Sequence, residues 1–230
     1  MNSRLRQLIK WFHPEGIPWP GSVLYNALSS TTIFLRHYEL IAYDIARYGT
    51  TPCILDIGTG PGRLLLAIRK VLPEATLFGV DISSSMVKQA RRNLAKGGQD
   101  KGIDVRVADA RALPFTDNTF NCVVSTGSIH HWKDPIRALS EIYRTLKLGG
   151  HALIYDLVRD MPRTLSDDIR VRFGGFRLAL LWLHSFEEPF LNAEEIEALG
   201  KSTNFIIEGV KFTGALCCLL LKKDVASQHT

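Results

Sequence analysis

Short apolar runs alternate with amphipathic stretches between residues 53 and 156. The apolar runs are nearly continuous, which is typical of strands that are buried on both faces of a parallel sheet. They predict strands over 53–57, 76–80, 103–108, 120–125 and 151–156. The intervening stretches carry apolar residues at helical spacing and predict helices over 62–72, 84–96 and 134–146. Regular alternation of strand and helix indicates the α/β class, with a mostly parallel sheet covered by helices on both faces.

The ends of these elements carry recognisable signals. Ser83 or Ser84 can cap the second helix, and Asp134 followed by Pro135 is a typical start for the next one. Gly149 and Gly150 allow a tight turn from that helix into the strand at 151. Beyond the insertion, "NAEEIEAL" predicts a capped helix, and "NFIIEGV" with "GALCCLLLK" predicts a closing pair of strands.

Two regions fall outside the alternation. Residues 1–50 are rich in aromatic side chains and predict two helical segments, split by "HPEGIPWPGS", that form a cap or lid. Residues 51–230 then form the main domain, with a second irregular stretch at about 157–192 as a lid insertion. Segments of this kind are often where enzymes build binding surfaces over a rigid scaffold.

Composition and charge restrict the classes of function. The 230 residues carry a net charge of +5, and no block of Lys and Arg is long enough to indicate a nucleic-acid partner. Three of the four cysteines lie in apolar runs without metal-ligand spacing, which predicts reduced thiols and no metal site. The N-terminus lacks the apolar core of a signal peptide, and the longest apolar run, 178–183, is too short to span a bilayer. We therefore expect a cytoplasmic protein.

The stretch "CILDIGTGPG" is the most informative part of the sequence about the ligand that the protein binds. Asp56 precedes Gly58, Gly60 and Gly62, which allow a sharp turn and let a ligand approach the backbone. Dinucleotide sites use the spacing G-x-G-x-x-G to hold a pyrophosphate, whereas this chain has G-x-G-x-G with an acid two residues upstream. A carboxylate repels a pyrophosphate and attracts an ammonium or a sulfonium. The pattern favours S-adenosylmethionine over a nicotinamide cofactor and leaves a nicotinamide-dependent reductase as the weaker alternative.

"ILDIGTGPG", "LFGVDIS", "VADARALPF" and "FNCVVSTGSIHHWKDPIRALSEIYRTLKLGGHALIYD" together resemble the class I S-adenosylmethionine-dependent methyltransferases. The resemblance implies a Rossmann-like, mostly parallel seven-stranded sheet that ends with an antiparallel strand. It also implies that Asp81 bonds the ribose hydroxyls, that Ile82 packs on the adenine and that Asp109 accepts from the adenine amino group. The residues implied to line the cofactor are Asp56, Gly58, Thr59, Gly60, Asp81, Ile82, Asp109, Ala110, Ser125, Thr126 and Tyr25.

The end of the fourth strand bears on the acceptor. It reads "STGSIHHW" and departs from the N/D-P-P-Y/F pattern that many methyltransferases of nucleic acid bases carry. The sequence resembles the branch that methylates quinones, phenols and other small molecules, so we expect a small-molecule acceptor. A catalytically silent cofactor-binding module and a protein methyltransferase remain as alternatives.

Several side chains near the expected reaction chamber have two interpretations. His130 and His131 are the candidate catalytic residues, as a general base, although contacts to the backbone or the cofactor are favoured for this position. Tyr25 is either a lid residue or ordinary core, and Arg36 either pairs with the cofactor carboxylate or lies at the surface. The other aromatic lid candidates are Trp19, Phe173, Phe176, Trp182 and Phe186.

Three further positions have mainly structural interpretations. Met86 is expected to pack in the core, and His151 is expected to be structural. The basic N-terminal helix, with Arg4, Arg6 and Lys10, either contacts an anionic membrane peripherally or packs on its own domain, and the second is favoured.

Overall fold

A computed structural model describes residues 21–49, 52–98, 101–162 and 191–225. The described residues form a seven-stranded sheet in the order β3-β2-β1-β4-β5-β7-β6. The strands are β1 Cys53–Ile57, β2 Thr76–Asp81, β3 Ile103–Val107, β4 Phe120–Thr126, β5 Leu146–Asp156, β6 Ile206–Thr213 and β7 Leu216–Lys222. The helices are α1 Gly21–Leu28, α2 Thr32–Ile45, α3 Arg63–Val71, α4 Ser84–Lys96, α5 Pro135–Thr145 and α6 Ala193–Lys201.

Pairing within the sheet follows the predicted class. Strands β1 to β5 pair in parallel, and β7 pairs antiparallel with both β5 and β6. The sequence order reverses at β1, where β2 lies on one side and β4 on the other. A reversal of this kind opens a crevice at the carboxyl ends of the strands, which is where doubly wound folds bind ligands.

The hydrophobic core lies in two layers, one on each face of the sheet. Ile41 of α2, Leu65 of α3 and Val87 of α4 belong to one layer, and Leu139 of α5 and Ile196 of α6 belong to the other. Neighbouring residues of a strand point to opposite faces, and Cys217 and Cys218 accordingly lie in different layers. All four cysteines are free thiols, as expected, and Met86 is buried in the core.

The helix starts are formed as predicted. The hydroxyl of Ser83 accepts a hydrogen bond from the backbone N–H of Met86, and the carboxylate of Asp134 accepts one from Arg137 ahead of Pro135. Asn192 and Glu195 form a reciprocal capping box at the start of α6.

Two predicted elements differ in the structure. The predicted second N-terminal helix is divided at Ser29–Thr31, where the hydroxyls of Ser29 and Ser30 donate to the carbonyl of Asn26 and compete with continued helical bonding. The predicted turn at Gly149 and Gly150 lies within β5, which begins at Leu146 because Leu146 pairs with Phe120 and is fully buried. The basic N-terminal helix, for which packing on its own domain is favoured over membrane contact, and most of the lid insertion lie outside the described residues.

Candidate active site

The turn after β1 brings the backbone close to its neighbours. Gly58 has a φ of +71°, and a Cβ at this position would lie 2.7 Å from the Cβ of Ser128. Gly60 has a φ of +52°, and a Cβ there would enter the space facing the ring of Tyr25, 3.6 Å from its Cε1. Gly58 therefore allows the turn to pack closely against Ser128, and Gly60 leaves an open space between the turn and α1. The backbone of both glycines is one that residues with a Cβ rarely adopt.

Asp56 lies at the bottom of this turn. Its carboxylate is 1% exposed and accepts a hydrogen bond of 2.7 Å from the hydroxyl of Thr59. Burial raises the pKa of Asp56 to about 7, which the Thr59 bond partly opposes and the nearby charge of Asp81 reinforces. A buried carboxylate of this kind is stabilised when a cation binds beside it.

Asp81 connects the end of β2 to the glycine turn. One carboxylate oxygen accepts from the backbone N–H of Gly60 at 2.9 Å, and the other accepts from Ser83 at 2.8 Å. Burial raises its pKa, against the effect of these two bonds. Each oxygen retains a second lone pair that can accept from a ligand hydroxyl, and the ribose-binding role of Asp81 stays a prediction. Ile82 follows with its side chain 40% exposed.

Asp109 follows β3 and is engaged by a neighbour. Both of its oxygens accept hydrogen bonds from the guanidinium of Arg111, Oδ1 from Nε and Oδ2 from Nε and Nη2, which lowers the pKa of Asp109. An adenine amino group that donates to Asp109 would therefore share its carboxylate with the guanidinium of Arg111. Ala110 is half-buried beside it.

The tip of β4 contributes small polar side chains. Ser125 is fully buried, and its hydroxyl lies 2.6 Å from that of Ser128. The hydroxyl oxygen of Thr126 is buried and has no hydrogen-bond partner within the described part of the chain. A buried hydroxyl in this condition is unfavourable unless a ligand bonds to it.

A histidine and an aspartate form a buried pair across the tips of β4 and β5. Nδ1 of His130 lies 2.7 Å and 2.9 Å from the two oxygens of Asp156, and the backbone N–H of His130 donates to the same carboxylate. Because an ionised carboxylate only accepts, Nδ1 of His130 is the donor in this pair. The ring of His131 is 4.0 Å away, centroid to centroid.

Two tyrosines cover the turn from the side of the N-terminal helices. The hydroxyls of Tyr25 on α1 and Tyr38 on α2 share a hydrogen bond. Burial raises the pKa of Tyr25, and the carboxylates of Asp81, Asp156 and Asp56 raise it further. One phenol therefore lies within electrostatic reach of three carboxylates from β1, β2 and β5.

Other candidates have structural partners. Arg36 pairs with Glu39 at the surface, and among the described residues no ion pair or hydrogen bond links Arg36 to the site. His151 packs on Tyr48 and pairs with Glu208, which agrees with its expected structural role. Trp19, Phe173, Phe176, Trp182 and Phe186 lie outside the described residues.

Sequence reasoning missed the second layer of the site, including Ser128 and Asp156 and the polar side chains that contact α1. The sequence carried a signal for Asp156, because it is the last residue of a buried strand, as Asp81 is, and Asp56 is the last but one of β1. No comparable signal identifies Ser128, whose role depends on its approach to Gly58.

Comparison with known proteins agrees with this geometry. A family profile described as a methyltransferase domain matches residues 55–154. A demethylmenaquinone methyltransferase of Symbiobacterium thermophilum is 36% identical over 61% of this chain and 53% of its own length. A ubiquinone/menaquinone biosynthesis C-methyltransferase of Desulfotalea psychrophila is 38% identical over 45% of this chain and 40% of its own length. The chain thus spans about half the length of these curated relatives.

The fold has close counterparts among solved structures. A putative S-adenosylmethionine-dependent methyltransferase of Methanococcus maripaludis superposes with a TM-score of 0.69, at 22% identity, over 94% of this chain and 97% of its own. This likeness confirms the fold class expected from the sequence, and residues 55–154 are similar to a methyltransferase domain, as the sequence predicted.

Within the described residues, no helix is both long enough and apolar enough to cross a bilayer. The cytoplasmic location, the division at residue 50 and the roles of individual site residues remain predictions.

Proposed function

We propose that this protein binds S-adenosylmethionine at the turn after β1 and methylates a ring carbon of a small hydroquinone-type acceptor. The observation that carries the proposal is the convergence of Asp56, Gly58, Gly60 and Asp81 on one crevice. The names of the two bacterial relatives, which specify demethylmenaquinone and a C-methyltransferase, suggest the acceptor class.

The residues present suit this cofactor. Gly58 and Gly60 keep the backbone free of side chains, and the buried Asp56 favours a cationic neighbour. Asp81 provides acceptors for ribose hydroxyls, Ile82 an apolar surface for a base, and Thr126 an available hydroxyl. When bound, S-adenosylmethionine supplies a methyl group already activated by its sulfonium.

The chain's own part in the chemistry is to align the acceptor and to accept its proton. Removing a hydroxyl proton from a hydroquinone makes the ring carbon more nucleophilic, and His130 accepts that proton at Nε2. Asp156 keeps Nδ1 protonated and stabilises the imidazolium that forms. General-base catalysis of this kind typically contributes between about 100-fold and 10,000-fold to a rate.

Cofactor binding is the first arm of the test. Titration calorimetry with S-adenosylhomocysteine should show saturable binding to the purified chain. No heat with either S-adenosylhomocysteine or S-adenosylmethionine would contradict the proposal at its root, and binding of NADH instead would favour a reductase.

Methyl transfer is the second arm. Radiolabelled S-adenosylmethionine should label a reduced 1,4-naphthoquinone in preference to a simple phenol, a sterol or a protein extract. Binding without transfer to any of these acceptors would indicate a catalytically silent module, and labelling of protein alone would indicate a protein methyltransferase.

The role of His130 is tested separately. We expect H130A to lower kcat by about 100-fold or more while the Kd for S-adenosylhomocysteine stays within about threefold. H131A serves as the matched control and should have the smaller effect on kcat. Unchanged turnover in the double variant would exclude both histidines from the chemistry.

A further inference from the structure

A cluster of polar side chains joins α1 to the cofactor turn. The side-chain oxygen of Asn26 accepts a hydrogen bond of 2.9 Å from Asn93 on α4 and one of 3.3 Å from Arg63 at the start of α3. The same amide nitrogen of Asn93 donates to the carbonyl of Pro61 at 2.8 Å, within the glycine turn itself. Arg63 also donates to the hydroxyl of Ser30 at 2.7 Å.

These hydrogen bonds join three helices that are far apart in the sequence, α1, α3 and α4. Asn26 is separated from Arg63 by 37 positions and from Asn93 by 67, so the bonds hold three elements together. All of them are partly buried, which protects them from competition with water. The carbonyl of Asn26 accepts further bonds from Ser29 and Ser30 and ends α1 directly after this cluster.

The residue before Asn26 is the one that faces the crevice. Tyr25 has its ring opposite Gly60, and its hydroxyl is bonded to Tyr38. A shift of α1 that released Asn26 would therefore move Tyr25 away from the open space between the turn and the helix. The polar cluster and the aromatic cover are adjacent positions of one short helix and move as a unit.

We propose that Asn26, with Arg63 and Asn93, is a positioning site that holds α1 across the glycine turn, so that Tyr25 retains the bound cofactor. The inference rests on the proposed function only in requiring that the cofactor binds at this turn. Asn26 does not contact the ligand in this scheme and acts through Tyr25. Dissociation of the cofactor then requires α1 to release the cluster, which places the effect in the dissociation rate.

The central test compares Asn26, on α1 beside the glycine turn, with Asn121 on β4, whose side-chain oxygen accepts the same number of hydrogen bonds far from that turn. The side-chain oxygen of Asn121 also accepts two hydrogen bonds, from Cys53 at 3.0 Å and Lys147 at 3.3 Å, but Cys53 begins β1 at the end remote from the turn. N26A should raise the Kd for S-adenosylhomocysteine about tenfold, mainly through a faster dissociation rate in stopped-flow displacement. N121A should lower Tm while leaving Kd within twofold of the parent protein.

A conservative variant and a double-mutant cycle separate positioning from folding. N26D retains an acceptor toward Arg63 and Asn93 and should restore Kd to within threefold of the parent. If Asn26 acts through Tyr25, N26A should change Kd less than twofold in a Y25A background. Full additivity of the two substitutions would contradict the inference.

The outcomes are distinguishable from failure of the proposed function. A parent protein that binds no S-adenosylhomocysteine would refute cofactor binding itself, whereas tight binding by both the parent and N26A would refute only the role of Asn26. If N26A does not fold, N93D provides a second test. It replaces the amide of Asn93, which donates to both Asn26 and Pro61, with a carboxylate that cannot donate to either oxygen. A Kd unchanged in folded N93D would overturn the inference.

Discussion

The buried carboxyl of Asp56 makes cofactor binding dependent on pH, and this dependence can be worked from the structure. Burial raises the pKa of Asp56 from 3.8 to about 7, and the residue is 1% exposed. The carboxyl of the unliganded protein is therefore half protonated near neutral pH. A cation bound beside it stabilises the ionised form, so binding below pH 7 must release a proton.

The magnitude follows from this linkage. With a pKa of about 7, the apparent Kd for S-adenosylmethionine should be about twice its high-pH value at pH 7 and about eleven times that value at pH 6. It should therefore rise about fivefold between pH 7 and pH 6 and level off above about pH 8. Calorimetry at pH 6 in buffers of different ionisation enthalpy should report close to one proton released for each ligand bound.

Two variants identify the group responsible. D56N cannot titrate and should bind with a nearly constant Kd between pH 6 and 8, weaker than the parent at pH 8 by about 10-fold to 100-fold for the lost charge interaction. D109N is the matched control, because pairing with Arg111 lowers the pKa of Asp109 and keeps it ionised throughout this range. D109N should therefore keep the pH slope of the parent. A parent protein with pH-independent binding, or a D56N variant with the parent's slope, would refute the reasoning.

Three further predictions concern the stability and reactivity of the fold. G58A should lose at least tenfold in cofactor affinity and unfold at a lower temperature, because the φ of Gly58 is +71° and a Cβ there would lie 2.7 Å from Ser128. G98A is the control: Gly98 has a φ of +61° but open space around it, so this substitution should lower Tm less. K223M should lower the free energy of unfolding, measured in urea, by about 2–3 kcal/mol, because the buried ammonium of Lys223 donates to the carbonyl of Leu146 at 2.8 Å and to the side-chain oxygen of Asn118 at 2.9 Å. A loss below about 0.5 kcal/mol, which is typical of substitutions at the surface, would contradict this prediction. A thiol reagent at pH 8 should label Cys53 well before the other cysteines in the native protein, because burial raises the pKa of Cys217 to about 11 and of Cys218 to about 12. The labelled cysteine is identified by peptide mass, and rapid labelling of Cys218 would contradict the packing.

The sequence predicted those parts of the structure that depend on local pattern. Continuous apolar runs located the strands that are buried on both faces, and Ser83 and Asp134 identified helix starts because a cap acts within three residues. The left-handed conformation predicted at Gly149 is present, with φ +74°, but β5 begins earlier than predicted because Leu146 pairs with Phe120 ahead of an irregular stretch that ends at His151. That pairing is a contact between distant positions, which no local signal at Gly149 reveals.

The same distinction applies to the site. Asp56 and Asp81 could be identified because each belongs to a motif at the end of a strand, and the structure places them close together. Asn26 and Asn93 could not, because each is an ordinary helical residue until the fold brings α1 against α4. Their role follows from tertiary packing alone.

The distribution of charge in the crevice also bears on how the ligand leaves. Asp56, Asp81 and Asp156 all raise the pKa of Tyr25, so the region around this hydroxyl carries a negative potential. A sulfonium contributes a positive charge that is lost when its methyl group is transferred, and the thioether product is attracted less strongly by the same carboxylates. We therefore expect the crevice to favour the methylated form over the product, and this preference should diminish as Asp56 becomes protonated below pH 7. Because a buried pair of opposite charges is screened little by salt, the preference should persist at high ionic strength. In the proposed scheme, α1 limits escape of the bound cofactor, and loss of the positive charge weakens binding only after methyl transfer.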